Sequence, residues 1–141
     1  MYPKNFINMI NKQIDNTKYV KIRNTDDNFY IITPSVDLYL MTALLNNYYT
    51  FYQLESSGKK YGAGLLKIQR YDIENLLFPD VSLLEHSEID LLCEYAKQLI
   101  NTADEQFISK ITLILERIST VPASRITDAY LSIKRIRLEK C

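Results

Sequence analysis

The sequence predicts an α+β protein in which a β-hairpin and a short strand lie around a central apolar helix, followed by a C-terminal three-helix segment. Two runs of β-branched and aromatic residues lie at 19–23 and 29–33, whereas apolar residues recur only at helical spacing from residue 87 onward. A length of 141 residues with 47% hydrophobic side chains is sufficient to bury a core without disulfides or metals. We therefore expect an α+β subdomain over residues 1–82 and a helical subdomain over residues 83–141.

The first elements are expected to be a short helix and a hairpin. Apolar residues at helical spacing predict an amphipathic helix over residues 5–14. The runs 19–23 and 29–33 flank a polar stretch, which is typical of two antiparallel strands joined by a loop. Pro34 should end the second strand because it lacks a backbone N–H, and Ser35 is a suitable helix N-cap.

The central helix is predicted over residues 36–54. Its apolar residues cover nearly the whole circumference, so several sides should be in contact with other elements. Its four tyrosines are more consistent with core contacts than with base stacking. They are Tyr39, Tyr48, Tyr49 and Tyr52.

The remaining elements follow from local signals. A glycine-containing loop should lead into a strand over residues 65–69, and residues 71–76 should form a helical turn that stops at residues 78–79. Three amphipathic helices follow, with breaks at residues 101–102 and 121–122. Short connections predict that they form a small bundle or lie against the first half.

Charge is strongly segregated along the chain, although 17 basic and 17 acidic residues balance overall. Residues 1–23 hold five basic residues and one acidic residue, and residues 56–71 hold four basic residues and no acidic one. Residues 72–94 hold seven acidic residues and no basic one. The two basic segments could meet an anionic partner, or they could be ordinary solvated faces.

The second basic segment contains the first candidate binding site. Its loop allows the backbone to approach phosphates closely, lysines can neutralise them, and a tyrosine can stack on a base. The alternative is a β-turn with surface lysines. The candidate residues are Lys59, Lys60, Tyr61, Gly62, Gly64, Lys67 and Arg70.

A second candidate site lies along the first hairpin strand and consists of Lys18, Lys21 and Arg23. A hairpin with basic side chains on one face can enter the major groove of DNA, where Arg and Lys read guanine edges. A solvated outer face is the competing interpretation. The last helix also has a basic end that includes Arg137, which its position near the helix C-terminus explains in part.

Four segments, in this order, resemble the C-terminal DNA-recognising region of adenine-specific DNA methyltransferases. They are residues 29–34 (FYIITP), 44–47 (LLNN), 61–68 (YGAGLLKI) and 73–79 (IENLLFP). The family shows a tyrosine-rich strand, a Leu-Leu-Asn-Ser helix, a Gly-Gly-Gly loop into a strand and a Leu-Pro ending. The resemblance covers roughly residues 18–80. This chain departs from it at Asn47, Ala63 and Phe78.

The resemblance implies a non-catalytic target-recognition domain from a restriction-modification system. Such a domain positions duplex DNA so that a separate catalytic domain or subunit, which binds S-adenosylmethionine, can methylate an adenine. The family's catalytic Pro-Pro-aromatic motif is absent, because no two prolines are adjacent in this sequence. We therefore expect neither a catalytic residue nor a cofactor in this chain.

The competing hypothesis is a helical protein–protein interaction module that forms homo-oligomers or binds a partner, without DNA. The zero net charge favours it. A stand-alone enzyme has less support, since the sequence shows no nucleophile–base pair, and Cys93 and Cys141 lack metal-ligand spacing; His86, the single histidine, is better explained by its place just before a helix start. Without a signal sequence, a long apolar run or a metal motif, we expect a cytoplasmic protein with no membrane partner and no metal.

Overall fold

The computed structural model describes residues 13–15, 20–24, 30–34, 36–60 and 64–139, and for the ranges before residue 36 it describes the backbone. Helices predominate among these residues, and the strands are short, so the fold class is α+β. The strands are β1 (Gln13–Asp15), β2 (Val20–Asn24), β3 (Tyr30–Pro34), β4 (Lys59–Lys60), β5 (Leu66–Lys67) and β6 (Leu77–Pro79). The helices are α1 (Leu38–Leu45), α2 (Tyr48–Ser57), α3 (Arg70–Glu74), α4 (His86–Thr102), α5 (Gln106–Glu116) and α6 (Ala123–Glu139), with a 3₁₀ turn at Val81–Leu83.

The strands form three antiparallel pairs, β1 with β6, β2 with β3 and β4 with β5. The predicted hairpin is confirmed as β2 and β3, with Ile22 opposite Ile32. Pro34 ends β3, as predicted, but it still pairs with Val20 in the register.

The predicted entry helix is wrong where the structure describes it. Residues 13 and 14 belong to β1, in which Gln13 lies opposite Pro79. Residues 5–12 of that prediction lie outside the described residues. A short apolar run fits helix or strand equally well, and pairing with a distant segment decides between them.

The predicted central helix is two helices, because Asn47 interrupts it with an extended backbone (φ −151°, ψ 165°). The Asn47 side chain caps α2 by accepting from the N–H of Thr50 at 3.0 Å. It also donates to the carbonyl oxygens of Ala43 (3.0 Å) and Leu44 (2.9 Å). The side chain therefore satisfies backbone groups from both helices at the break.

The N-cap of α1 is Asp37, which accepts from the N–H groups of Tyr39 (2.8 Å) and Leu40 (3.2 Å). Ser35, the predicted cap, lies outside the described residues. Aspartate is as good an N-cap as serine, and its charge also favours a helix N-terminus.

The three predicted C-terminal helices are confirmed as α4, α5 and α6. A capping box between Glu85 and Glu88 begins α4. Ala103 ends α4 in the left-handed conformation (φ 53°), next to the predicted break. The α5–α6 connection includes the predicted break at residues 121–122.

The buried apolar side chains form one cluster that draws on residues before and after position 83. Helix α1 packs on α4, α2 packs on α6, and α4 packs on α5. Leu44, Tyr49 and Phe78 are buried with Leu92, Ile111 and Ile126. None of the described helices combines the length and hydropathy that a membrane span requires.

Candidate nucleic-acid interface

The β4–β5 hairpin begins directly at the end of α2, where Gly58 donates its N–H to the carbonyl oxygen of Leu54 at 2.9 Å. A Cβ at Gly58 would lie 2.8 Å from Leu66 Cδ1, 2.9 Å from Ile68 Cδ1 and 2.9 Å from the Leu54 oxygen. These distances are shorter than van der Waals contact, so a side chain at position 58 would require the ends of the Leu66 and Ile68 side chains and the backbone at Leu54 to shift. The side chains of Leu66 and Ile68 therefore lie close to the end of the helix.

Lys59 and Lys67 lie directly opposite each other across this hairpin. Both side chains are exposed. Like charges in directly opposed positions destabilise a strand pair. In the part of the chain that the structure describes, neither ammonium group has an ion-pair or hydrogen-bond partner. An anion placed between them would relieve this repulsion.

Lys60 differs from these two lysines because its ammonium group already has a protein partner. Its Nζ donates to the backbone carbonyl oxygen of Glu55 at 2.8 Å, at the C-terminal end of α2. A cation there interacts favourably with the helix dipole. An ammonium carries three donors, so Lys60 can still offer N–H groups to a second acceptor.

Arg70 lies at the start of α3, and its Nε is 3.3 Å from Glu74 Oε1 in an exposed ion pair. Helix α3 lies against β2, the strand that contains Lys21 and Arg23. The fold therefore places Arg70 beside the strand that carries part of the first basic segment, although the two segments are far apart in the chain.

Gly64 lies between β4 and β5, two residues before β5. Its φ of 73° is in the left-handed region, which glycine adopts without cost. Its carbonyl oxygen accepts a short hydrogen bond from Arg137 Nη1. The same guanidinium binds the Glu55 carboxylate through Nε to Oε2 at 2.7 Å and Nη2 to Oε1 at 2.8 Å. The ion pair is nearly inaccessible to solvent, with exposed side-chain fractions of 12% for Arg137 and 2% for Glu55.

Sequence reasoning did not find the Glu55–Arg137 pair. The residues are 82 positions apart, and Glu55 carries no local signal beyond its place near a helix end. The interpretation of Arg137 as a dipole-compensating residue is incomplete, since its guanidinium is a buried bridge between α6, α2 and Gly64.

The structure thus brings together part of the predicted site. Lys59, Lys60, Gly64 and Lys67 belong to one hairpin region, and Arg70 begins the next helix. Of the first basic segment, Lys21 and Arg23 lie in β2. The other three predicted residues lie outside the described residues, and they are Lys18, Tyr61 and Gly62.

Outside the hairpin, the Cys93 thiol and the possible metal ligands are the alternative candidates for a site. Burial, together with the nearby Asp37 carboxylate, raises the pKa of the Cys93 thiol, whose Sγ is 3.7 Å from Asp37 Oδ1. A raised pKa keeps the thiol protonated and a poor nucleophile. Among residues 36–60 and 64–139, no group of three or more His, Cys, Asp or Glu side chains is placed to hold a metal ion.

Comparisons of the chain with family models, with curated proteins and with solved structures find no match. The chemistry of the interface is therefore inferred from its own residues. Lys59 and Lys67, whose ammonium groups have no partner among the described residues, can bind anions such as phosphate groups by charge, and backbone amides near a glycine can add hydrogen bonds.

Proposed function

We propose that this chain is a non-catalytic DNA-recognition domain that positions duplex DNA for methylation of an adenine by a separate, S-adenosylmethionine-binding catalytic domain. The observation that carries the DNA-binding part is the direct opposition of Lys59 and Lys67 across the β4–β5 hairpin. In the described part of the chain no acidic side chain pairs with either lysine, so the two adjacent positive charges raise the local potential, which attracts anions such as phosphate groups.

The methyltransferase part of the proposal is supported by the four resembling segments and by the role of Asn47. The family has a serine where this chain has Asn47. Both residues are strong N-caps, since each offers a side-chain oxygen to the backbone N–H groups of the first helical turn. The departure at Asn47 therefore retains the capping interaction, which here is made to the N–H of Thr50.

Salt dependence of binding to random-sequence duplex DNA tests the proposal. Each phosphate that a duplex-binding protein neutralises adds about 0.9 to the slope of log affinity against log salt concentration. Replacing Lys59 and Lys67 by Ala should weaken binding and lower the magnitude of this slope by about 2. Lys60→Ala should change the slope by less than either of these replacements, because its Nζ is already bound to the backbone carbonyl oxygen of Glu55.

The matched control is Lys97→Ala with Lys110→Ala, which removes the same charge from α4 and α5. Those lysines lie over aromatic rings, Lys97 over Tyr39 and Lys110 over Tyr95 and Phe107. We expect the control to bind DNA as the wild type does. Equal losses for the two double variants would contradict a site at the hairpin.

Two further measurements complete the test. The purified chain should transfer no methyl group from labelled S-adenosylmethionine to DNA, and transfer would contradict the non-catalytic role. Absence of DNA binding at low salt, combined with a mass that rises with protein concentration, would favour the protein-interaction alternative instead.

A further inference from the structure

We infer that the Glu55–Arg137 ion pair positions the β4–β5 hairpin, so that the last helix determines how Lys59 and Lys67 are presented to DNA. This inference rests on the proposed DNA-binding function of the hairpin. It makes Arg137 a positioning residue that acts through Gly64 and Glu55, and it gives the C-terminal helix a part in recognition.

Most of the Arg137 side chain is inaccessible to solvent. The guanidinium binds both carboxylate oxygens of Glu55 in the bidentate geometry that is common for arginine and carboxylate. A third N–H, on Nη1, reaches the Gly64 carbonyl oxygen. With 12% of its side chain exposed, Arg137 has little surface to offer to DNA itself. Its effect on the hairpin must pass through the residues that it holds.

The residues on both sides of the loop between β4 and β5 are bound by members of the Glu55–Arg137 pair. On one side Lys60, the last residue of β4, donates to the Glu55 backbone carbonyl at 2.8 Å. On the other side Gly64, which precedes β5, accepts from Arg137. Glu55 and Arg137 therefore hold the two ends of the segment that joins the strands, and the Lys59–Lys67 register depends on those ends.

A bridge of this kind needs arginine. Replacing a buried ion pair by apolar side chains of similar volume often leaves stability unchanged, so packing alone does not require the charges. An apolar side chain cannot donate to the Gly64 carbonyl, and a lysine, with a single ammonium centre, cannot reproduce the planar fork that spans Glu55 and Gly64.

Helix α2 and helix α6 also pack in a way that keeps this bridge in place. The two helices run in the same direction, with Tyr48 and Tyr130 in contact at one end (ring centroids 5.6 Å apart) and Glu55 and Arg137 at the other. Phe51 contacts Tyr130 between them, also with centroids 5.6 Å apart. These aromatic contacts determine the position of Arg137 along the helix axis relative to the end of α2.

The experiment compares two double variants that both preserve net charge. Glu55→Met with Arg137→Met removes the buried pair without leaving a single buried charge. Arg135→Met with Glu139→Met removes an exposed pair from the same helix, whose atoms are 4.0 Å apart and whose side chains are 70% and 69% exposed. Each variant is studied by amide hydrogen exchange and by DNA binding over a range of salt concentrations.

We expect the Glu55/Arg137 variant to keep its helical circular dichroism and cooperative unfolding. The amides that are hydrogen-bonded between β4 and β5 should exchange about tenfold faster or more, because local opening of the hairpin becomes easier. Its affinity for duplex DNA should fall by about threefold to tenfold at unchanged net charge. The Arg135/Glu139 variant should match the wild type in both measurements.

The outcomes separate the two proposals. If the wild type does not bind DNA, the proposed function fails and this inference fails with it, while hydrogen exchange still decides whether the ion pair anchors the hairpin. If the wild type binds DNA and the Glu55/Arg137 variant shows unchanged affinity or unchanged hairpin exchange, the inference alone is overturned. If that variant does not fold, Arg137→Lys replaces it, with the same expected changes in exchange and affinity.

Discussion

Tyr49 Oη donates a 2.5 Å hydrogen bond to the backbone carbonyl oxygen of Val121, a residue 72 positions further along the chain. Both residues are buried in the common core. The bond joins α2 to the connection that precedes α6, and it gives the hydroxyl group of a buried tyrosine a hydrogen-bond acceptor.

Tyr49→Phe should lower the free energy of unfolding by about 1–3 kcal/mol, because the Val121 carbonyl loses a buried donor while the ring remains. Denaturant unfolding measures this change. Tyr71→Phe, at an exposed tyrosine, is the control and should alter stability by less than about 0.5 kcal/mol. Indistinguishable values for the two variants would show that the bond contributes nothing.

The N-cap at the helix break gives a second prediction. Asn47→Ala should lower the free energy of unfolding by about 2 kcal/mol or more, since the cap to Thr50 and the two bonds to Ala43 and Leu44 are lost together. Asn47→Ser should cost less because the cap is kept. An equal cost for Ala and Ser, measured by denaturant unfolding, would assign the effect to the amide donor instead.

Acid stability should depend on Glu88. Hydrogen bonds from Arg117, and then from the backbone N–H of Glu85, lower the pKa of Glu88 from 4.5 to about 2. The Arg117 Nε lies 2.8 Å from Glu88 Oε2. Because the folded state holds the carboxyl ionised, this stabilisation is complete above about pH 4.5 and is lost as the pH falls toward 2.

A pH series of unfolding measurements tests this assignment. Glu88→Gln should be less stable than the wild type at neutral pH, and the difference should shrink as the pH falls from about 4.5 to 2. Glu94→Gln, on an exposed part of the same helix, is the control and should show no such convergence. A Glu88 carboxyl resonance that titrates near 4.5 would contradict the ion-pair explanation.

Gly58 gives a fourth prediction, on the seating of the hairpin. Gly58→Ala should destabilise the protein by about 1–3 kcal/mol, because the new Cβ would meet Leu66, Ile68 and the Leu54 carbonyl at 2.8–2.9 Å. Ser56→Ala, at an exposed position on α2, should have a small effect. If Gly58→Ala were as stable as the wild type, the Leu66 and Ile68 side chains and the Leu54 carbonyl would have to shift without cost, which would contradict this prediction.

Local patterns were sufficient for several elements. The hairpin of β2 and β3 follows from two β-branched and aromatic runs around a polar loop, and α4, α5 and α6 follow from apolar residues at helical spacing. The central helix was predicted as one element because both halves are apolar. Its break depends on one buried asparagine, Asn47, which no periodicity reveals.

The wrong helix over residues 13–14 has a related cause. The identity of β1 is settled by its partner β6, more than sixty residues away, and a three-residue strand has too short a pattern to indicate it. The candidate interface was likewise only partly predictable from the sequence. The sequence identified the basic residues of the hairpin, but the direct opposition of Lys59 and Lys67 depends on strand register.

The sequence by itself determined the fold class, the sites of the three last helices and the segregation of charge, because these follow from side-chain periodicity and composition over neighbouring residues. Only the tertiary structure decided that Glu55 meets Arg137, that Tyr49 reaches Val121 and that Asn47 divides the central helix. These interactions join groups whose burial depends on how the helices pack, and a buried polar group selects its partner according to which donors and acceptors the packed core brings within reach.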